Sequence, residues 1–290
     1  MLFKRICTIT VGDPKQNNIM FDQNFRISFN INKNLLSTPK VSTVDIYNLT
    51  KDSRDRLKEI LQKNSSGSGS KSLLTIYAGY EQGDGLQLLY TGYIKHVYNR
   101  KEPPDVITTL SCVNVDFDKS YCSMSFGPGV STNVAQKDQA KRLHIDTDSA
   151  SDFSNAVTLA NGHAYAGPTK DAIDNTAKMT NSTVTVEDNK LKVIPKGKHS
   201  KDAIVDVSIT TGLIGSPEKI ENQGTDADTS KIKDGWKIKV FLQPKIRIGG
   251  RINIDSEPIK GVFIADSINH VGDTAHGDWQ TIVETKEAQT

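Results

Sequence analysis

Cysteine is scarce in this chain: Cys7, Cys112 and Cys122 are the only three in 290 residues, an odd number with no CxxC spacing. That excludes a disulfide-framed secreted scaffold, argues against a zinc site, and reads as reduced thiols of a cytosolic-type compartment. Long apolar runs are missing too. No stretch approaches the ~20 residues that span a bilayer, and Met1-Leu2-Phe3-Lys4-Arg5 is too short for a signal core. The expectation is a soluble protein made in a cytoplasm, with no membrane binding of its own. Excess charge is absent: 36 basic and 34 acidic residues leave a net +2, without a basic stripe. Sequence-independent phosphate binding therefore finds little support. Hydrophobic residues make up 36% of the chain and aromatics 7%, low for one large globule. Small β domains with much partner-facing surface fit better than a deep-cored enzyme.

Catalytic patterns are missing as well. There is no HExxH, GxSxG or Walker A motif. Asn64-Ser65-Ser66-Gly67-Ser68-Gly69-Ser70 lacks the preceding strand of a phosphate cradle, so it reads as a connector. His270, Asp273, His276 and Asp278 are close in sequence, as are His144, Asp146 and Asp148, but neighbouring glycines make the first group solvated turn residues and an exposed loop accounts for the second. We assign no catalytic, cofactor-binding or metal-binding residue, and expect no enzyme and no cofactor.

What the chain does have is β periodicity. Phe25, Ile27, Phe29 and Ile31 alternate with Arg26, Ser28, Asn30 and Asn32, which predicts a strand with one apolar face. Val41–Leu49 predicts a second strand. Thr50 then caps a short helix with Leu57, Ile60 and Leu61 on one side. Strands follow at Leu73–Tyr80, Leu86–Asn99 after an Asp84-Gly85 turn, and Val106–Val113 after Pro103-Pro104.

From about Ser120 to Ser200 the alternation weakens. Phe153, Ala156, Val157 and Ala160 predict a helix ended by Gly162, and Thr169 is placed to cap another carrying Ala172, Ile173, Thr176 and Ala177. Thr183–Glu187, an Asp188-Asn189 turn and Lys190–Ile194 predict a hairpin. Strands resume at Lys237–Gln243, Arg251–Asp255, Val262–His270 and Trp279–Glu284. Ahead of them lies Thr211-Gly212-Leu213-Ile214-Gly215-Ser216-Pro217, apolar and glycine-hinged, then the polar stretch 218–234. The segment is a domain crossover or, more sharply, an inter-subunit or inter-domain contact arm.

The two ends resemble each other. Gly92-Tyr93-Ile94-Lys95-His96-Val97, a turn and Asp105–Ser111 match Phe263-Ile264-Ala265-Asp266-Ser267-Ile268, a turn and Asp278–Glu284. Generic alternating hairpins would produce the same likeness; a duplicated β module would supply two equivalent blocks to a ring. The expected fold is mainly β with an α+β insertion, in three domains: 1–118, 119–200 and 201–290.

Residues 211–217, Val240-Phe241-Leu242-Gln243-Pro244-Lys245-Ile246-Arg247-Ile248-Gly249-Gly250, and His270-Val271-Gly272-Asp273-Thr274 with Gly277-Asp278-Trp279 resemble the baseplate hub proteins of contractile-tailed bacteriophages. So do the Phe25–Asn32 strand, Ser37-Thr38-Pro39 and Val44-Asp45-Ile46-Tyr47-Asn48-Leu49. The likeness spans both ends and is weak across the middle. It implies two tail-tube-like β barrels flanking a small mixed α/β domain. It also implies a homotrimer whose six barrels join the hexameric tail tube protein to the trimeric central spike protein, among other baseplate proteins. Genomic DNA and the tape-measure protein would pass through the lumen, in a virion tail baseplate assembled in the host cytoplasm. A tail-associated peptidoglycan hydrolase and the hub of a related contractile injection system are the alternatives.

Overall fold

The computed structural model describes residues 4–12, 18–35, 40–65, 72–117, 120–220 and 235–287. The Ser37-Thr38-Pro39 run, residues 66–70 of the Ser/Gly tract and residues 221–234 of the polar stretch lie outside the described residues.

The chain opens with β1 (Arg5–Gly12), β2 (Ile19–Phe21), β3 (Ile27–Asn34), β4 (Val41–Tyr47), α1 (Lys51–Ser65), β5 (Leu73–Tyr80), β6 (Gly85–Glu102) and β7 (Asp105–Val113). The Thr50 hydroxyl accepts from the Ser53 amide at 3.2 Å, and Leu57 buries α1 on the sheet, as its spacing predicts. The start of the chain yields a strand the sequence reading passed over: Cys7, Ile9 and Val11 alternate inward.

The middle carries β8 (Tyr121–Phe126), β9 (Val130–Ser131), α2 (Thr132–Arg142), β10 (Asp146–Thr147), β11 (Thr158–Leu159), β12 (His163–Pro168), α3 (Thr169–Met179), β13 (Ser182–Glu187) and β14 (Lys190–Pro195). The expected helix over Phe153–Ala160 is not there. Asp152 instead accepts from the Ser154 amide and hydroxyl, Val157 donates to the Thr132 hydroxyl, and Thr158–Leu159 pairs with β9. Local side-chain bonds compete with helix for such residues. Thr169 begins α3 but does not cap it; its hydroxyl accepts from Ser120. The β13–β14 hairpin forms as predicted, and both turn residues have left-handed backbone, Asp188 at φ 49° and Asn189 at φ 63°, the requirement of a tight type I′ turn.

The remainder adds β15 (Val205–Ser208), a 3-10 turn (Ile209–Thr211), β16 (Glu218–Ile220), β17 (Gly235–Phe241), β18 (Arg251–Ser256), β19 (Ile259–Asp273) and β20 (Trp279–Glu287). The fold is mainly β. One sheet runs β16-β17-β20-β19-β3-β4-β7-β6-β5-β1-β2, with β18 on β19 and β15 on β18. Among the described residues this path closes no barrel; β16 and β2 are its open edges.

The sheet contains the same arrangement twice. The order β3-β4-β7-β6-β5-β1 is repeated by β16-β17-β20-β19-β18-β15. The two long strands also share a defect. Lys95 is the extra residue in the β6–β7 register and Asp266 the extra residue in β19–β20, the very positions that align in sequence. A bulge at the same point of two hairpins is a built feature. Equivalent positions are filled alike: Leu110 and Val283 are both fully buried, as are Val44 and Ile238. The copies differ where the chain was free to differ. α1 lies between β4 and β5, whereas Pro244–Gly249 loops between β17 and β18, and β1 is antiparallel to β5 while β15 is parallel to β18.

Each arrangement has its own apolar cluster, one around Ile9, Ile31, Leu74, Ile76 and Leu110, the other around Ile238, Val240, Ile252, Ile254 and Ile268. A third cluster joins Ala140, Ile145, Ile173, Val184, Leu191 and Val193 in the middle. No helix of the described residues is long and apolar enough to cross a membrane.

Candidate functional site

The two β modules meet where β19 pairs with β3, seven residues against seven, from Ser267 opposite Asn34 to Asp273 opposite Ser28. On the core side Phe29 lies over Gly272, where a Cβ would come within 2.3 Å of the ring. Only glycine accepts that approach. Phe29 continues edge-on to Trp279, ring centres 5.3 Å apart. On the other side Asn269 donates to Asn30 and Asn32 at 2.7 and 2.6 Å. The end of the joint is clamped by Arg26, which donates from Nε and one terminal nitrogen to Asp273 while stacking on Tyr47 at 4.2 Å.

The middle of the chain plugs this joint. The tip of the β13–β14 hairpin reaches both modules. Lys33 of β3 donates to Glu187 and Asp188, each at 3.2 Å. Lys192 donates to Glu187 at 2.8 Å, to Asp202 at 2.9 Å and to the Ile248 carbonyl at 3.4 Å. Arg247 pairs with Asp188. Asp188 also accepts from the Thr91 amide, and Tyr93 donates to Asn189 at 2.7 Å. Further up the hairpin, Thr185 donates to the Asn34 carbonyl and Asn114 to that of Val186.

Burial alone would raise the Glu187 carboxyl, but Lys33, Lys192 and Arg247 outweigh it and bring it down to about 2. Lys33 is pulled down to about 8 by burial, against the attraction of Glu187. Burial works against the charge of Lys192 too, yet Glu187 and Asp202 hold it above its ordinary value. Three cations thus face three close carboxylates. Such networks cost desolvation and return geometric specificity, because each charge is tolerated only with its partners in place. The network joins β3, the β13–β14 hairpin and the segments that carry Asp202 and Arg247.

The histidine–carboxylate groups noted in the sequence do not converge on a metal; no cluster of three or more suitable side chains occurs among the described residues. His270 is a correction to the solvated-turn reading. It is fully buried on β19, with Nδ1 2.9 Å from the Thr281 hydroxyl. Burial, then nearby Lys33, hold its pKa well below the usual range. Asp273 likewise is engaged: it takes Arg26 and the amides of Ala275 and His276, and these bonds, against burial, hold its carboxyl low.

The baseplate hub gp41 family matches residues 6–262. The chain belongs to this family. A baseplate hub is a structural part of a phage tail, and the resemblance drawn from residues 211–217, 240–250 and 270–279 agrees with it. Solved structures repeat the fold. The prophage MuSo2 43 kDa tail protein of Shewanella oneidensis superposes with a TM-score of 0.59 at 9% identity, over 97% of this chain and 98% of that one. The tail protein of Neisseria meningitidis MC58 gives 0.56 at 11%, over 97% and 96%. The E. coli c3393 protein, a type VI secretion component similar to T4 tail proteins gp27 and gp5, gives 0.54 at 7%, over 91% and 74%. No curated protein sequence matches the chain.

In this hub, the segment Thr211, Gly212, Leu213, Ile214, Gly215, Ser216, Pro217 runs along the edge of β17. Ile214 donates to the Lys239 carbonyl at 2.7 Å, and Phe241 donates to Gly212 at 2.9 Å. Gly212 needs its left-handed φ of 107° and lies under Phe241. With Ile209 and Phe241, Thr211 and Gly212 face Tyr80, Asp84 and Gly85 across a surface groove of 280 Å³. The sequence reading missed the ion network. Its signal was Lys33, which continues the core-facing alternation of Phe29 and Ile31.

Proposed function

We propose that three copies of this hub close a ring in which two modules per chain give six positions. The ring meets the hexameric tail tube protein on one face and the trimeric central spike protein on the other. The observation that carries this reading is the repeated strand order within one chain, with matching bulges at Lys95 and Asp266. A closed ring requires each patch to meet a complementary one, and a chain with two quasi-equivalent modules resolves three-fold against six-fold symmetry. Residues 1–118 and 201–290 are then tube-like β-barrel domains, and 119–200 the domain that braces them through the Glu187–Asp188 tip. The Thr211–Pro217 segment is an inter-domain contact beside the groove.

The polar side of the shared sheet lines the channel in this reading. Asn30, Asn32, Thr43, Ser111 and Asn269 project from that side, where Arg26, Arg100 and Lys239 are each paired with a carboxylate, Asp273, Asp45 and Glu218. Genomic DNA and the tape-measure protein would pass such a wall without being trapped on phosphate contacts. Other baseplate proteins dock outside, and assembly takes place in the host cytoplasm. The test is electron microscopy of the hub bound to tube and spike proteins: six-fold modulation on one face and three-fold on the other support the ring. A zymogram on host cell wall separates the peptidoglycan hydrolase reading. Capsid and terminase genes beside this one separate a phage hub from that of a related injection system.

A further inference from the structure

The β13–β14 hairpin has two ends. Its tip, where Glu187 pairs with Lys190, enters the joint; its base, where Ser182 pairs with Pro195, lies at the opposite end. At the base the fold gathers lysines that the sequence scatters. Lys178 stands in the last turn of α3, and its carbonyl accepts from the Asn181 amide at 3.1 Å. The Asn181 carbonyl in turn accepts from the Lys196 amide at 3.0 Å, and one turn carries both Lys196 and Lys198, closed by the Lys198 amide on the Pro195 carbonyl at 3.0 Å. Lys198 Nζ donates to the Ser154 hydroxyl at 3.1 Å, Lys201 lies 3.7 Å from Asp152, and Lys137 of α2 sits 5.5 Å over the Phe153 ring. These lysines are all exposed. Compensation is thin. Among the described residues, only Lys201 of this group has a carboxylate within ion-pair distance, and that carboxylate, Asp152, also takes the Ser154 amide and hydroxyl. Apolar side chains lie among the charges. Val134 precedes Lys137 by three residues and shares its face of α2. Val157 is held beside α2 by two bonds with Thr132, each at 2.9 Å. The two valines are exposed by 48% and 47%, and Met179, next to Lys178, is exposed as well.

We propose that this surface, formed by the base of the β13–β14 hairpin, the 152–157 loop and the outer face of α2, docks an acidic segment of another polypeptide, one with apolar residues among its carboxylates. Clustered cations without neighbouring carboxylates raise the local positive potential, which steers an acidic partner inward and fixes its orientation. Val134, Val157 and Met179 give that segment apolar area to bury. A nucleic acid matches the surface less well. The ring nearest the lysines, Phe153, lies under Lys137 and leaves no open face for a base to stack on. A lipid surface matches less well too, because two valines and a methionine fall far short of the apolar face of an interfacial helix. The site belongs to the middle of the chain alone and does not depend on the ring reading. One end of the hairpin braces the modules, and the other is left to hold a partner.

The test is fluorescence anisotropy of the full chain with a labelled peptide of repeated Glu-Glu-Leu-Asp. A labelled oligonucleotide of equal charge and phosphatidylglycerol vesicles are the competing probes. Saturable peptide binding that weakens with salt is expected. Lys178→Gln, Lys196→Gln and Lys198→Gln together should lower the affinity by about tenfold or more. Lys260→Gln, an exposed lysine of β19, should leave it unchanged. Surface substitutions of this kind leave the fold intact, which an unaltered thermal unfolding curve verifies. Val157→Ser should weaken the peptide and spare the oligonucleotide. No binding of the peptide at low salt, binding that ignores the triple variant or Val157→Ser, or tighter binding of the oligonucleotide or vesicles would each overturn the proposal.

Discussion

Lys33 on β3 and Glu187 at the tip of the β13–β14 hairpin lie 154 residues apart in sequence and 3.2 Å apart in the fold. Both are almost wholly buried. Their pairing is where the middle of the chain locks onto the β modules, so its loss is a loss of architecture more than of a surface contact.

Glu187→Gln leaves Lys33 and Lys192 buried with their principal anion neutralised. Removing one partner of a buried charge network costs about 3–5 kcal/mol. Denaturant unfolding should show that loss, while Lys4→Gln, at an exposed pair with Glu81, should change stability by less than about 1 kcal/mol.

The same residue sets an acid limit. Lys33, Lys192 and Arg247 hold the Glu187 carboxyl down at about 2 in the fold, against 4.5 for an ordinary glutamate. Between those values the unfolded chain binds more protons, so its contribution is complete above pH 4.5 and is lost as pH falls through about 2. Stability followed between pH 5 and 2 should fall steeply for the natural chain, and less steeply for Glu187→Gln.

Gly272→Val places side-chain atoms where the Phe29 ring lies. Overpacking of this kind costs about 1–3 kcal/mol or more. Adding Phe29→Leu should recover part of it, because the clash is with that ring. Equal losses in the single and double variants, by thermal unfolding, would place the strain elsewhere.

The sheet was largely legible in the sequence because alternation is a strong signal where one face is buried and the other polar. Phe29, Ile31, Val44 and Ile46 announced themselves, and so did the hairpin turn at Asp188-Asn189. Two kinds of feature were not legible. α2 buries Ala135, Gln136, Gln139 and Ala140 and carries no large aliphatic stripe, so it gives little helical periodicity. The ion network needs residues from positions 33, 187, 192, 202 and 247, and no local pattern joins them. His270 reads as a turn histidine beside Gly272, yet the register of β19 sends it inward to Thr281. The duplication was faint in residue identity, since what is repeated is strand order and bulge position, which different side chains satisfy.

The thiols give a further check on packing. Burial raises the Cys7 thiol to about 12 and holds Cys112 above its ordinary value as well, so neither supplies thiolate at neutral pH. Under native conditions an aromatic disulfide reagent should label none of the three buried cysteines, and in denaturant all three. Fast labelling of Cys7 in the native hub would mean that β1 opens from the sheet edge.

The most direct test of the central claim is the native mass of the hub by light scattering, alone and with the tail tube and central spike proteins. The account predicts a hub component of three times the 31.8 kDa chain mass in at least the bound state. A hub that remains a monomer, or enters the complex as one or two copies, would contradict the two-modules-per-chain ring.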